Sequence, residues 1–269
     1  MSRGRHARHG LAVVGLAALL ASCAPRLATP PGLDLTRAAE RFRTLLNLRR
    51  EQGAAATASL VLWLEGVSER RLPGAQADLV LAAPDRVRLR VASMFGTALD
   101  LGVRGDSLLA WVPAWRTGLR VGSARESLGV GEPGSLAYRA LSATWEPPGE
   151  GWAHRALDSL ATIMWAEGQD SLAMVVGSDG LPVWVSVGRE GTTTVTTRYR
   201  AWDRASGVAW PSHVEIEEVA HGVRLVIKAT RLRFRALADT SRLAVRMPDD
   251  AGALTLGQLR AVLGRLGVY

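Results

Sequence analysis

The stretch RVRLRV at residues 86–91, followed by ALDLGVR at residues 98–104, decides the fold class of this chain. In both stretches apolar residues alternate with polar or small ones at a spacing of two, the period of a β-strand with one buried and one wet face. Only six residues separate them, which is too short for the crossover that parallel strands require. The two stretches therefore predict an antiparallel hairpin.

The same alternation extends along most of the chain and predicts about twelve strands. They cover residues 59–65, 77–83, 86–93, 98–104, 107–112 and 117–121, and then 160–166, 171–176, 183–187, 192–202, 213–218 and 222–235. Short connections rich in Gly, Pro and Asp separate them. No linker divides the chain, so one antiparallel sheet is predicted, and a sheet of this size has to curl.

Helical spacing appears in four places. The first helix is predicted from Asp34 or Thr36 to about Gln52, with an apolar stripe that includes Arg49. Two mid-chain helices are predicted at residues 123–130 and 135–145, and a last one at about 256–266. The first three helices are expected to cover the concave side of the sheet.

The N-terminus has the layout of a secretory signal peptide. Three arginines within the first ten residues precede an apolar run at residues 11–20, which is shorter than the about 20 residues that span a bilayer. Small residues then lead to Cys23, and LASC at residues 20–23 resembles the lipobox of bacterial lipoproteins. The alternative is an ordinary signal peptide that happens to contain a cysteine.

Cys23 is the only cysteine of the chain, so no disulfide forms within one molecule. Lipidation of Cys23 would explain it, and would place residues 1–22 in a signal peptide and residues 23–33 in a lipidated tether. Two or three acyl chains would hold the protein on a membrane, because each buried methylene contributes about 0.8 kcal/mol. Ala24 follows, and the absence of aspartate there favours the periplasmic face of the outer membrane.

The charge of the chain is positive and almost entirely due to arginine. The formal net charge is +8, and removing residues 1–22 with their three arginines leaves +5. An exported protein is expected to meet no nucleic acid, so phospholipid and lipopolysaccharide head groups are the candidate anionic partners. Arg231, Arg233 and Arg235 alternate with apolar residues, which favours the simpler interpretation of one solvated sheet face.

The sequence lacks the signatures of an enzyme. His154, His213 and His221 are isolated from one another, and no nucleophile elbow, phosphate-cradling loop or dinucleotide fingerprint is present. The prediction is a protein that is not an enzyme, with no cofactor, no metal and no catalytic residue.

Several short motifs resemble those of the LolA/LolB-like superfamily of lipoprotein carriers. They are APDRVRL at residues 83–89, FG at 95–96, AWVP at 110–113, WPSHVEI at 210–216 and an apolar-x-apolar pattern ending in MP at 243–248. The resemblance implies that residues 34–269 form an open half-barrel, a single curved antiparallel sheet covered by helices, with an apolar cavity for acyl chains. It also implies that residues 243–248 form a terminal strand.

The cavity prediction names thirteen apolar residues, of which twelve lie at a spacing of two on the inward face of the strands and the other is Trp111, close to Pro113. They are Leu62, Leu81, Leu89, Val91, Leu99, Leu101, Trp111, Ile163, Trp165, Met174, Ile216, Leu225 and Ile227. Trp111 and Trp115 are expected near a mouth or lid, because Pro113 and a turn lie between them. The alternative is that the same residues fill a packed core and bind nothing.

The leading functional hypothesis is a membrane-anchored periplasmic lipoprotein that binds lipid or lipoprotein acyl chains in this cavity. It would serve lipoprotein localisation or lipid handling in the cell envelope. The second hypothesis is a non-catalytic structural or interaction lipoprotein with a filled core and an envelope protein as partner. The third is an envelope stress sensor that reads mislocalised lipids.

Overall fold

The structure is a computed structural model that describes residues 35–51, 55–66, 74–124, 132–147, 153–157, 160–204, 207–220, 222–234 and 240–263. The predicted signal peptide, Cys23 and the tether lie outside the described residues, as does nearly all of the helix predicted at 123–130.

The described residues form fourteen strands of one sheet. The bounds are β1 (Ala55–Glu65), β2 (Ala75–Ala82), β3 (Arg86–Ser93), β4 (Gly96–Arg104), β5 (Ser107–Val112), β6 (Thr117–Val121), β7 (Ala153–Leu157), β8 (Leu160–Glu167), β9 (Asp170–Val176), β10 (Pro182–Arg189), β11 (Thr192–Asp203), β12 (Trp210–Glu218), β13 (Val223–Phe234) and β14 (Gly252–Ala253). The spatial order is β14-β6-β5-β4-β3-β2-β1-β13-β12-β11-β10-β9-β8-β7. Every pair is antiparallel except β14 with β6, and the sheet does not close into a barrel.

Within the described residues, the helices that accompany the sheet are α1 (Leu35–Glu51), α2 (Pro133–Ser142) and α3 (Leu256–Leu263). Two short 3-10 turns lie at Pro113–Trp115 and Thr240–Leu243. Within the described part of the chain, none of the helices is both long enough and apolar enough to cross a bilayer.

The helices cover one face of the sheet through two apolar clusters. In the first, residues of β1–β6 such as Leu81 and Leu99 pack with Tyr138 of α2 and Leu259 of α3. In the second, Phe42 and its neighbours in α1 pack on β8–β12. Helix α2 contributes to both clusters and lies between them. The face of the sheet that the helices cover is called the inner face, and the opposite face is called the outer face.

The predicted fold class is confirmed: the protein is mainly β, with one curved antiparallel sheet, open like a half-barrel, and helices on one face. All twelve predicted strands are present, several of them longer by a few residues. β7 and the two-residue β14 had no clear sequence signal. The C-terminal helix α3 also covers the inner face, which the sequence did not predict.

The prediction of a strand at residues 243–248 is wrong. Residues 240–248, here called the strap, form a 3-10 turn and then irregular chain across the outer face. Val245 sits over Gly102, where a β-carbon would lie only 2.7 Å from it, and Met247 sits over Gly118 in the same way. The apolar-x-apolar pattern therefore packs on two glycines of the sheet and does not extend its ladder.

The strap also changes the environment of the outer face. Arg88, which the alternation places on a wet face, is only 8% exposed. Its guanidinium holds Asp100 with two contacts, 2.8 Å from Nε to Oδ1 and 2.6 Å from Nη2 to Oδ2, and its Nη1 donates to the carbonyl of Arg242 at 2.8 Å. A buried ion pair thus joins β3, β4 and the strap.

Candidate functional site

An apolar hollow of about 500 Å³ lies at one end of the sheet. It is formed where the β3–β4 hairpin, the Pro113–Trp115 turn and α3 meet. Its lining residues are Ala92, Ser93, Phe95, Thr97, Ala98, Val112, Pro113, Ala114, Trp115 and Val262. Val112 and Val262 also belong to the first apolar cluster, so the hollow opens from the core of this half of the protein.

The tip of the β3–β4 hairpin presents large apolar side chains to solvent. Met94 is 75% exposed and Phe95 is 88% exposed. The turn itself is ordered: the Ser93 hydroxyl donates to the carbonyl of Gly96 at 3.1 Å and accepts from the Phe95 N–H at 3.3 Å. Gly96 has a φ of +116°, a conformation that side chains disfavour, which allows the tight reversal.

The opposite wall of the hollow is held by contacts between Arg116, just before β6, and the C-terminal segment. The Gly252 N–H donates to the carbonyl of Arg116 at 2.9 Å, and Arg116 also pairs with Asp250 at 2.6 Å. After these contacts the chain continues into α3 on the inner face, where Val262 is buried beside the hollow. Trp115, at the rim, remains 42% exposed.

Twelve of the thirteen predicted cavity residues are brought to the core and not to this hollow. Leu62, Leu81, Val91, Leu99 and Ile227 are buried in the first cluster, and Leu89, Leu101, Ile216 and Leu225 pack against it. Ile163 and Met174 are buried in the second cluster, with Trp165 packed against it. None of these residues lines the hollow, and their contact with a ligand stays a prediction.

Trp111 is the exception among the thirteen, because it lies on the other side of the sheet. Ala110 and Val112 are both buried in the first cluster, so the side chain between them projects to the outer face. Its register neighbours there are Asp100 on β4 and Gly118 on β6. Of the two tryptophans expected at a mouth, only Trp115 lines the hollow.

The sequence prediction missed most residues of the hollow, because they lie at strand ends and in turns and not within alternating runs. One signal was available. Met94 and Phe95 are large apolar residues in a two-residue turn, where polar residues are usual. Apolar side chains in such a position indicate contact with something other than water.

Arg49 ties α1 to the rest of the inner face. It is 5% exposed, and its Nη1 and Nη2 donate to the carbonyls of Ser142 and Ala209. Its guanidinium lies 5.1 Å from the ring centre of Trp210 and 5.8 Å from that of Trp202. Burial lowers the pKa of Arg49 well below its ordinary value, to about 10, so the group stays charged at neutral pH.

A second ionic cluster lies on the outer face around Glu215, which the alternation predicts to face water. Glu215 is 8% exposed, with Arg224 at 2.7 Å and Arg200 at 3.1 Å from its Oε2. Burial alone would raise the pKa of Glu215, but the guanidinium of Arg224 and then that of Arg200 outweigh it and lower the pKa. Burial, and then the charge of Lys228, lower the pKa of His213.

The free energy of unfolding is therefore expected to decrease in two steps as the pH is lowered. The folded protein resists protonation of His213 below its ordinary pKa of 6.5 and of Glu215 below its ordinary 4.5, whereas the unfolded chain accepts both protons. Urea unfolding at pH 7.5, 5.5 and 4.0 measures both losses. His213→Gln should abolish the loss between pH 7.5 and 5.5 and keep the later one. An unchanged pH profile in this variant would contradict the assignment.

The described residues hold no group of three or more His, Cys, Asp or Glu side chains that could bind a metal ion. The lining of the hollow is mainly apolar, with the hydroxyl groups of Ser93 and Thr97 among it, and contains no charged side chain. It can therefore bury hydrocarbon, and the ionic clusters on the outer face are separate from it.

No protein-family model matches the chain, and no curated protein does. Several solved structures resemble the chain in fold. A LolA superfamily protein from Nitrosomonas europaea superposes with a TM-score of 0.51 at 10% identity, covering 76% of this chain and 97% of its own. A putative outer membrane lipoprotein-sorting protein domain from Vibrio parahaemolyticus gives 0.52 at 13% identity, with the same two coverages.

A DUF1329 family protein from Desulfovibrio piger gives a TM-score of 0.50 at 9% identity, covering 77% of this chain and 97% of its own. The class that the fold defines is thus the LolA/LolB-like fold. Within that class the chain is a structural relative, since identities of 9–13% show the fold alone.

Proposed function

We propose that this protein is a membrane-anchored periplasmic lipoprotein that binds an acyl chain of a lipid or lipoprotein in the apolar hollow. It would act in lipoprotein localisation or lipid handling in the cell envelope. Lipidated Cys23 would provide the anchor, on the periplasmic face of the outer membrane. No covalent chemistry is needed, because the affinity would come from removing methylene groups from water.

The hollow is the observation that carries this proposal. Its volume of about 500 Å³ lies within the about 300–1,000 Å³ of typical ligand sites. Its walls are mainly apolar and include two aromatic side chains, Phe95 and Trp115. A neutral, apolar lining suits hydrocarbon, and a charged head group would have to remain at the rim.

The exposed tip of the β3–β4 hairpin supports the idea that acyl chains enter the hollow from a membrane. Met94 and Phe95 are exposed together, and Phe95 also lines the hollow. A tip that enters the acyl region of a bilayer would bury both side chains and bring the hollow next to lipid tails. The anchor at Cys23 would keep the protein close enough for such contacts.

The filled-core alternative is favoured by one specific observation. Twelve of the predicted cavity residues are buried in, or packed against, the two clusters, as a scaffold without a ligand requires. In that case the protein would be a structural or interaction lipoprotein, and the hollow would remain empty in the cell.

Native mass spectrometry of residues 23–269 carrying Cys23→Ala, purified from bacterial periplasm, separates the two functions. We expect co-purifying phospholipid or fatty acid. Trp115→Glu should reduce the occupied fraction at least about tenfold, because it places a charge at the apolar rim. Val219→Glu, at a similarly exposed apolar residue several strands away, is the matched control and should retain the ligand.

A clean ligand-free mass that added fatty acid or lipopeptide does not change would overturn the carrier function and leave the scaffold. Equal loss of ligand in the Trp115 and Val219 variants would also count against the hollow as the binding site.

A further inference from the structure

A second cavity, of about 470 Å³, lies on the outer face of the sheet. Its floor is formed where β13, β1, β2 and β3 run side by side, and the 3-10 turn of the strap forms one wall. Thr57 and Ser59 lie opposite Arg233 and Arg231 in the β1–β13 register, on the face away from the helices. The proposed acyl-chain site shares no lining residue with it.

Arginine dominates this cavity. Its lining contains Arg88, Arg90, Arg231, Arg233 and Arg242. These five guanidinium groups meet two carboxylates, Asp78 in the lining and Asp100 behind Arg88, which leaves a surplus of three positive charges.

The carboxylates do not neutralise the arginines evenly. Asp100 forms its ion pair with Arg88, and its Oδ2 lies 3.9 Å from Nε of Arg90. Asp78 accepts a hydrogen bond from the Ser59 hydroxyl at 3.2 Å. Within the described part of the chain, no carboxylate lies within 4.0 Å of the guanidinium groups of Arg231, Arg233 or Arg242. Three of the five arginines are therefore available to an anion.

The cavity is also organised before any ligand arrives. Arg88 holds the strap through the carbonyl of Arg242 and is itself held by Asp100, so the wall that carries Arg242 has a defined position. Arg231 and Arg233 are two residues apart on one strand and project to the same face. Guanidinium groups gathered in a concave site concentrate positive potential and suit the bidentate binding of phosphate oxygens.

We propose that this outer-face cavity binds a phosphate group through Arg231, Arg233 and Arg242, with Arg90 beside them. The surplus of three positive charges suits a phosphate that carries more than one negative charge. The volume exceeds that of a phosphate alone, which leaves room for the group esterified to it. That group belongs either to an anionic lipid head or to a soluble phosphate ester.

The test uses residues 23–269 with Cys23→Ala and titrates pyrophosphate by calorimetry at low ionic strength, where screening is weakest. Arg231→Gln combined with Arg233→Gln should weaken binding at least about tenfold, because each removed contact is charge-assisted. Arg120→Gln with Arg198→Gln is the control pair. It makes the same change in net charge at two exposed arginines of the outer face and should change the affinity less than about twofold.

A second variant, Arg242→Gln, tests the wall formed by the strap and should also weaken pyrophosphate binding. All five substituted arginines are exposed, so unchanged melting temperatures are expected and confirm that the variants fold. Absence of pyrophosphate binding by the unchanged protein, or equal weakening by the control pair, overturns the proposal.

Co-sedimentation with vesicles that contain phosphatidic acid, whose phosphate is a monoester, compared with phosphatidylcholine vesicles, identifies the source of the phosphate. Loss of vesicle binding in the Arg231/Arg233 pair supports the proposal with a lipid head group as ligand. Weakened pyrophosphate binding with unchanged vesicle binding supports it with a soluble phosphate ester. Neither result depends on an acyl chain in the hollow, so failure of the proposed carrier function would leave this test interpretable.

Discussion

Asp100→Ala is expected to lower the free energy of unfolding by about 3–5 kcal/mol. The substitution leaves the guanidinium of Arg88, which is 8% exposed, without its carboxylate partner under the strap. A charge that is neither solvated nor paired is costly, and the contact from Arg88 to the carbonyl of Arg242 cannot compensate for it. Urea unfolding followed by circular dichroism measures the change.

Asp78→Ala is the matched control, since it also removes a carboxylate from the outer face. Asp78 is exposed and is bonded to Ser59, so its loss should change the stability by about 0.5 kcal/mol or less. Replacing both members of the buried pair, as in Arg88→Met with Asp100→Leu, should recover most of the loss, because no unpaired charge remains. A double variant as unstable as Asp100→Ala would show that the charge is not the cause.

Phe42→Ala should lower the free energy of unfolding by about 3–5 kcal/mol as well, for a different reason. Phe42 is 0% exposed and belongs to the second cluster, through which α1 packs on the sheet. Removing the ring loses its transfer free energy and leaves a cavity that the rigid sheet cannot close. Thermal and urea unfolding should both report the loss.

Leu48→Ala, on the same helix, provides the comparison. Leu48 is 37% exposed, so its truncation should cost well under half as much as that of Phe42. Equal losses in the two variants would mean that α1 does not dock through the Phe42 side, contrary to the structure.

The strands were predictable because their signal is local. Alternation at a spacing of two within RVRLRV at residues 86–91 depends only on neighbouring residues, and β3 has the predicted bounds. The strand that the resemblance implied at residues 243–248 is absent, although these residues also alternate. Their apolar side chains pack on Gly102 and Gly118, and whether a segment pairs with a sheet edge or crosses its face depends on distant residues.

The sequence predicted which residues project to the inner face of the sheet, but it did not predict where an empty cavity lies. Alternation correctly places residues such as Leu81 and Leu99 on the inner face, and both are buried in the first cluster. Whether that face is filled depends on how closely α2 and α3 approach it. The hollow occurs at the end of that face, between a turn and a helix whose contact no local pattern encodes.

The sequence by itself determined the fold class: an antiparallel sheet, most of the strands that build it, and the face that most of their side chains take. Only the tertiary structure decided which polar residues are buried. Arg88 and Glu215 lie on the face that alternation predicts to be wet, yet each is 8% exposed. Alternation decides the side on which a residue projects, whereas its burial depends on what covers that side. For Arg88 the cover is a strap 154 residues further along the chain.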